Sequence, residues 1–246
     1  MNAFSLNGRK ALITGANAGI GQAIAIAMAR AGATVVCAGR RSSAETVSAI
    51  TDAGGTASEI IVDFADPMAG ASLFKGEGID ILVNNAGIIR RADSVDFTEE
   101  DWDAVMDVNV KAVFFTSQAF AKELLDQNRT GKIVNIASLL SFQGGIRVPS
   151  YTTAKHGVAG LTRILANEWT ASGINVNAIA PGYIATNNTQ ALRDDPDRSA
   201  AILDRIPAGR WGRPEDIAES AVYLAAPASD YVSGAILNVD GGWLAR

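Results

Sequence analysis

"KALITGANAGIGQAIAIAMARAG", residues 10–32, is the stretch on which the fold class turns. It opens with an apolar run of strand length, continues through a turn carrying Gly15, Gly19 and Gly21, and ends in Ala, Ile and Met at helical spacing. Strand, glycine turn and helix in that order form the first unit of a nucleotide-binding βαβ fold. The turn lets a pyrophosphate approach the helix N-terminus, where free N–H groups and the helix dipole favour an anion. Asn17 and Ile20 belong to the same turn. The spacing is G-x-x-x-G-x-G rather than G-x-G-x-x-G, so placement between strand and helix carries the reading more than the glycines do.

Beyond residue 32 the pattern repeats. Apolar runs at 33–38, 57–62, 79–84, 131–137, 174–180 and 234–239 join the first to make seven strands. Several are continuously apolar, as expected of strands buried on both faces. The stretches 20–31, 44–53, 100–126, 152–172 and 215–226 are amphipathic or Ala-rich and read as helices. Regular alternation predicts an α/β Rossmann fold, a doubly wound parallel seven-stranded sheet with helices on both faces. No linker or composition shift divides the 246 residues, so one domain is expected. Pro196, Pro207 and Pro214 make 182–214 the most irregular segment and the expected substrate lid.

Composition narrows the function. With 48% hydrophobic and 19% charged residues, and no apolar run near the roughly 18 residues that span a bilayer, no membrane role is expected. The N-terminal residues lack a signal-peptide pattern, and a lone Cys37 permits no internal disulfide, so the expected location is cytoplasmic. One cysteine and one histidine, His156, make a metal cluster unlikely to form, and no metal is expected. A formal net charge of −5 argues against nucleic acid as a partner.

The end of the second strand should hold the group that reads the adenosine ribose. An acid there would accept from a free 2′-hydroxyl; this chain has Gly39, Arg40, Arg41, Ser42 and Ser43 instead. Two guanidiniums able to fork onto a phosphate favour NADP(H) over NAD(H). Solvated loop arginines, or Arg40 stacked on adenine, are the alternatives.

Residues 138–155, SLLSFQGGIRVPSYTTAK, hold a second constellation. Tyr151 and Lys155 lie four apart in a helical segment and so share a face. Bringing a phenol from pKa near 10 to about 7 takes around 4 kcal/mol, which one positive charge about 4 Å away supplies at an effective dielectric near 20. An isolated Y-x-x-x-K is usually an ordinary helical pair; the glycine turn and the motifs that accompany it here reverse that reading.

Those motifs are TGANAGIG at 14–21, Asp63, NNAG at 84–87, Asn109, Ser138, YTTAK at 151–155, PGYIAT at 181–186 and VDGG near the end. Together they resemble the short-chain dehydrogenase/reductase family over nearly the whole chain. The resemblance implies a catalytic tetrad of Asn109, Ser138, Tyr151 and Lys155, with Asn109 holding Lys155 through a water. It implies that Asp63, with Phe64, binds adenine and that Asn85, Ala86 and Gly87 line the cofactor path. Pro181, Gly182, Ile184 and Thr186 would flank the nicotinamide, which Tyr151 and Lys155 also approach. Only a short span separates Asp63 from Asp80, a departure from the family pattern at the outer cofactor wall. Subunits of the family commonly form homotetramers through the helices at 100–126 and 152–172.

Longer stretches, among them SFQGGIRVPSY and NAIAPGYIATNNTQALR, resemble a subgroup acting on deoxy-keto sugar acids. Such a substrate needs a counter-charge and hydrogen-bond partners. Arg147, four residues before Tyr151, is the first choice for the carboxylate, Arg90 the second, and Asn187 or Asn188 a third; Gln143 would serve hydroxyls, and Ser138 and Tyr151 the reacting oxygen. Arg90 and Arg91 could instead pair with Asp93 or Asp96 at the surface. His156 turns about 100° from Lys155 on a helix and reads as structural, as do Cys37 and the tryptophans, although Trp211 could border the pocket mouth. Asp240, Gly241 and Gly242 read as a turn and subunit contact. Two further functions stay open: reduction of another carbonyl such as a 3-oxoacyl thioester, and a cofactor-binding regulator without turnover.

Overall fold

The computed structural model describes residues 2–245. Seven strands, β1 (Lys10–Thr14), β2 (Thr34–Gly39), β3 (Thr56–Ile61), β4 (Ile81–Asn84), β5 (Gly131–Ile136), β6 (Ile174–Pro181) and β7 (Ile236–Val239), form one sheet in the order β3-β2-β1-β4-β5-β6-β7. Every pairing is parallel. The chain runs outward from β1 to β3 and returns to lay β4 beside β1, so a crevice opens at the carboxyl ends of β1 and β4.

Successive side chains of a strand point to opposite faces, and both faces here are apolar. Ile13, Val35, Val83 and Val134 belong to one core, under α1 (Gly19–Arg30), α2 (Ala44–Asp52) and α8 (Pro214–Ala225). Their neighbours Leu12, Val36, Leu82 and Ile133 belong to the other, under α4 (Ala112–Asp126) and α5 (Pro149–Trp169). The edge strands β3 and β7 alternate towards solvent, which is why their runs are the least uniformly apolar.

Between β3 and β4 the short span leaves room for only one 3-10 turn, Ala69–Leu73. The stretch expected as a single helix over 100–126 is divided: α3 (Glu99–Met106), capped by Thr98 Oγ1 accepting from Asp101 N, passes through a π segment at Asp107–Lys111 into α4. Helix α5 starts three residues earlier than its expected 152, because Pro149 at its first turn sacrifices no intrahelical bond. The 182–214 segment is less irregular than its prolines suggest, holding α6 (Gln190–Arg193) and α7 (Pro196–Arg205), the latter started by Asp195 accepting from Asp197 N and Arg198 N. Among the described residues no helix is long and apolar enough to cross a membrane.

Candidate active site

The crevice floor is the glycine turn. Gly15 has φ +67°, and a Cβ on Gly21 would strike Gly15 O and the Asn85 side chain, so both positions need glycine. Helix α1 has no side-chain cap and no acid in its first turn. Its N-terminal N–H groups therefore lack a competing acceptor from the chain, and the cradle fits a dinucleotide pyrophosphate. Asn85 braces this turn from below: its Nδ2 donates to Thr14 O at 2.9 Å and Gly15 O at 3.1 Å. Thr14 Oγ1 in turn accepts from Asn85 N and Ala86 N, both at 2.9 Å. Thr186 lies across the turn, in contact range of a side chain built on Gly19, so the residues after β6 roof the same path.

At the adenosine end, Arg40 and Asp63 lie 3.9 Å apart, both more than half exposed. The Phe64 ring is buried in the core, leaving its backbone as the part that could meet a ligand. Glu59 of β3 turns into the loop after β2, accepting from Ser42 Oγ at 3.0 Å and Ser43 N at 2.5 Å. That engages Glu59 with the loop itself, so Asp63 is the acid that faces Arg40, and the Arg40 and Arg41 side chains remain exposed.

Ser138, Tyr151, Lys155 and Asn109 converge at the carboxyl ends of β4 and β5. Ser138 follows β5 and caps a 3-10 turn by accepting from Leu140 N at 3.1 Å. Its side chain also hydrogen-bonds Tyr151 and favours the phenolate, as does the nearby Arg91 charge, but burial outweighs both and raises the Tyr151 pKa. Lys155 is 5% exposed and donates from Nζ to Ile136 O at 2.6 Å, and its Nζ lies 5.5 Å from the Tyr151 ring centroid. Burial lowers its own pKa to about 8. The Lys155 charge, expected from the sequence to act beside that of an oxidised nicotinamide ring, therefore acts on Tyr151 against the desolvation of a buried phenol. Asn109 is fully buried in the π segment and clamps the backbone of Ile88, accepting from Ile88 N at 2.9 Å and donating to Ile88 O at 2.8 Å.

The substrate candidates separate. Arg147, at a positive φ of 62°, pairs with Asp93 at 3.1 Å, and Arg90 pairs with Asp101 at 3.0 Å, all four side chains being well exposed. The expected surface partners of Arg90 were Asp93 or Asp96; helix α3 brings Asp101 instead. Arg91 forms no ion pair among the described residues; its Nη2 donates to Asn188 O, in the 182–214 segment, at 3.0 Å, and its charge favours the Tyr151 phenolate. Gln143 accepts from Trp243 Nε1 at 3.2 Å. The Asp240 turn expected from sequence is present, its carboxylate accepting from Gly242 N and Leu244 N, each at 2.9 Å.

Beneath the site runs a buried polar chain that starts from Asn84 of the NNAG motif and whose other members the sequence did not single out. Asn84 Nδ2 donates to Ser117 Oγ and Asn135 Oδ1, and Asn135 Nδ2 donates to Thr162 Oγ1 at 3.0 Å. It ties β4 and β5 to α4 and α5, fixing the helix that carries Tyr151 and Lys155.

A family model described as enoyl-(acyl carrier protein) reductase matches residues 15–244. The 2-dehydro-3-deoxy-D-gluconate 5-dehydrogenase of Dickeya dadantii is 54% identical over 251 residues, covering 100% of this chain and 99% of that protein. A crystal structure from Agrobacterium tumefaciens, named as a candidate 2-deoxy-D-gluconate 3-dehydrogenase with bound NADP, is 72% identical, with a TM-score of 0.99 and 100% of both chains covered. One from Beutenbergia cavernae, named as a candidate NAD(P)-dependent gluconate 5-dehydrogenase with NADP at low occupancy, is 48% identical, with a TM-score of 0.97 and the same coverage.

Proposed function

The chain belongs to the short-chain dehydrogenase/reductase family of nicotinamide-dependent oxidoreductases, and from that premise we propose that its substrate is a deoxy-keto sugar acid. The reaction is that of a 2-dehydro-3-deoxy-D-gluconate 5-dehydrogenase, also called 2-deoxy-D-gluconate 3-dehydrogenase. The observation that carries this reading is a full-length relative at 54% identity that bears that name, in a chain that sets the buried Lys155 Nζ 5.5 Å from the Tyr151 ring centroid. Arg91 joins Arg147 and Arg90 as a candidate for the carboxylate, and is placed ahead of them because their exposed pairs with Asp93 and Asp101 would have to open first. In the named substrate the acid at C1 and the reacting C5 are four bonds apart, about 6 Å at about 1.5 Å per bond and about 5 Å once bond angles shorten it.

A bound nicotinamide would accept or supply the hydride. Tyr151 takes the proton of the secondary alcohol, or returns one to the alkoxide formed on reduction, and Ser138 donates to the same oxygen. The Lys155 ammonium stabilises the phenolate from below. Asn109 keeps the Ile88 segment in place over Lys155's side of the crevice. Gly15, Asn17, Gly19, Ile20 and Gly21 hold the pyrophosphate; Asp63 and the Phe64 backbone meet the adenine; Ala86 and Gly87 border the ribose; Pro181, Gly182, Ile184 and Thr186 flank the nicotinamide.

NADP(H) is the preferred cofactor, since Arg40 and Arg41 are exposed where a 2′-phosphate would lie and Glu59 is engaged by Ser42 and Ser43. The single domain closes 182–214 as its lid, tied to Arg91 through Asn188. The protein works in the cytoplasm as a homotetramer, with exposed Trp102 and Ile164 on the expected contact helices.

Absorbance at 340 nm with 2-dehydro-3-deoxy-D-gluconate, its reduction and oxidation partners, and a 3-oxoacyl thioester tests the reading with each nicotinamide. Turnover of the hexonates and none of the thioester is expected; the reverse overturns it. Tyr151→Phe should lower kcat by about 10²–10⁴-fold, the usual contribution of one positioned acid–base group, while cofactor still binds. A variant that keeps most of its kcat would remove Tyr151 from the chemistry.

A further inference from the structure

The 3-10 turn Trp243–Ala245 packs between α7 and the turn that follows Ser138. Trp243 is 4% exposed and packs with Leu139, which follows Ser138, and with Ile202 and Ile206 at the lid helix α7. The Arg205 guanidinium lies 4.0 Å over its indole ring, and the Tyr183 ring centroid is 4.7 Å away. Asp240 pins the turn through its two backbone bonds, and Ala208 N donates to Gly241 O at 3.0 Å, joining the turn to the lid. The indole is therefore held on several sides by packing and by a cation.

Its one polar atom is spent on Gln143. An indole N–H can only donate, so the atom of Gln143 facing it at 3.2 Å must be the carbonyl Oε1. The orientation of an amide is otherwise interchangeable, and here a donor-only partner settles it. Gln143 Nε2, with two protons to give, is turned away from Trp243 and has no hydrogen-bond partner among the described residues, in a side chain that remains partly exposed.

We propose that Trp243 is a positioning residue for substrate specificity: by holding Gln143 Oε1 it presents the Gln143 amide donors to a hydroxyl of the bound substrate. The sequence separates the two by 100 positions, and the lid packs on the residue that orients the donor. This rests on the sugar-acid reading, so its test includes a measurement that needs no substrate.

Trp243→Phe keeps an aromatic ring and deletes the N–H. With 2-dehydro-3-deoxy-D-gluconate as probe, it should raise KM about five- to tenfold, the usual loss for one hydrogen bond, with kcat changed less than twofold. Gln143→Ala should raise KM similarly, and the double variant should be no worse than Gln143→Ala alone. A KM within twofold of the parent in Trp243→Phe, or effects that multiply in the double variant, overturns the proposal, the latter assigning Trp243 to packing. In 15N-labelled protein without substrate, the two Gln143 side-chain amide proton signals should be sharp and well separated in the parent and should broaden or converge in Trp243→Phe. Unchanged signals overturn the proposal. If the parent turns over no hexonate, the sugar-acid reading fails and the amide signals still decide whether Trp243 orients Gln143.

Discussion

Replacing Lys155 with methionine should make the cofactor-free protein more stable at neutral pH. The lysine is buried, and its pKa falls from the usual 10.5 to about 8 because its charge has left water. At about 1.36 kcal/mol per pH unit, that fall corresponds to roughly 3 kcal/mol of stability forgone wherever both states carry the proton, that is below about pH 8. Methionine of similar length has no charge to desolvate but gives up the bond to Ile136 O, worth about 1 kcal/mol. The variant should therefore gain about 2 kcal/mol at pH 7. Between pH 8 and 10.5 the unfolded parent binds more protons than the folded one, so the parent's stability climbs with pH and the variant's advantage shrinks. Above 10.5 the sign reverses, leaving only the lost hydrogen bond. Urea melts of both proteins at one protein concentration and at pH 7, 8.5 and 10 measure the difference, which cancels groups titrating alike in both. A difference that is flat with pH, or that widens as pH rises, would refute the argument. Turnover should be lost throughout, which would make Lys155 a site where stability is given up for chemistry.

Arg91→Ala should raise KM for the sugar acid about 10- to 100-fold, the range for a charge-assisted bond, and barely alter that for a neutral ketone. Arg147→Ala, which opens only an exposed pair with Asp93, should change KM less than about threefold; the opposite ranking in steady-state kinetics would return the carboxylate to Arg147. Gly21→Ala places a methyl against Gly15 O and Asn85 and should weaken cofactor binding at least about tenfold in a fluorescence titration, besides costing on the order of 1–3 kcal/mol of stability. Arg40→Ala should lower the NADPH to NADH ratio of kcat/KM by about fivefold or more, leaving the NADH value nearly unchanged; an unaltered ratio would remove Arg40 from cofactor selection.

The layered architecture was legible because buried parallel strands such as ILVN at 81–84 have no polar face to confuse them, and because the glycine turn sits between a strand and a helix. The four candidate catalytic residues followed from family motifs, and the structure brings them to one end of the sheet. What sequence could not show was pairing across distance. Which of Arg90, Arg91 and Arg147 forms an ion pair depends on where Asp93 and Asp101 come to lie, and that is set by helix α3 and a loop with a positive φ at Arg147. The links from Asn84 to Asn135 and Thr162 were hidden for the same reason, the last two being unremarkable polar positions on their own strand or helix. The desolvation of Tyr151 was not legible because burial depends on packing, which offsets along the chain do not encode.

The π segment at Asp107–Lys111 separates chain length from side-chain identity. A π turn holds one residue more than the α turn it replaces, and the extra residue is absorbed locally. Deleting Val110 would let α3 and α4 join as one regular helix, with Phe120 and Leu124 still facing the sheet, but would swing Asn109 off the Ile88 backbone. The same one-residue deletion inside α4 would rotate everything after it by about 100° and expose the core. Here the fold should tolerate a change of length that the candidate site does not, so a frame-preserving deletion should displace Asn109 while leaving the scaffold standing.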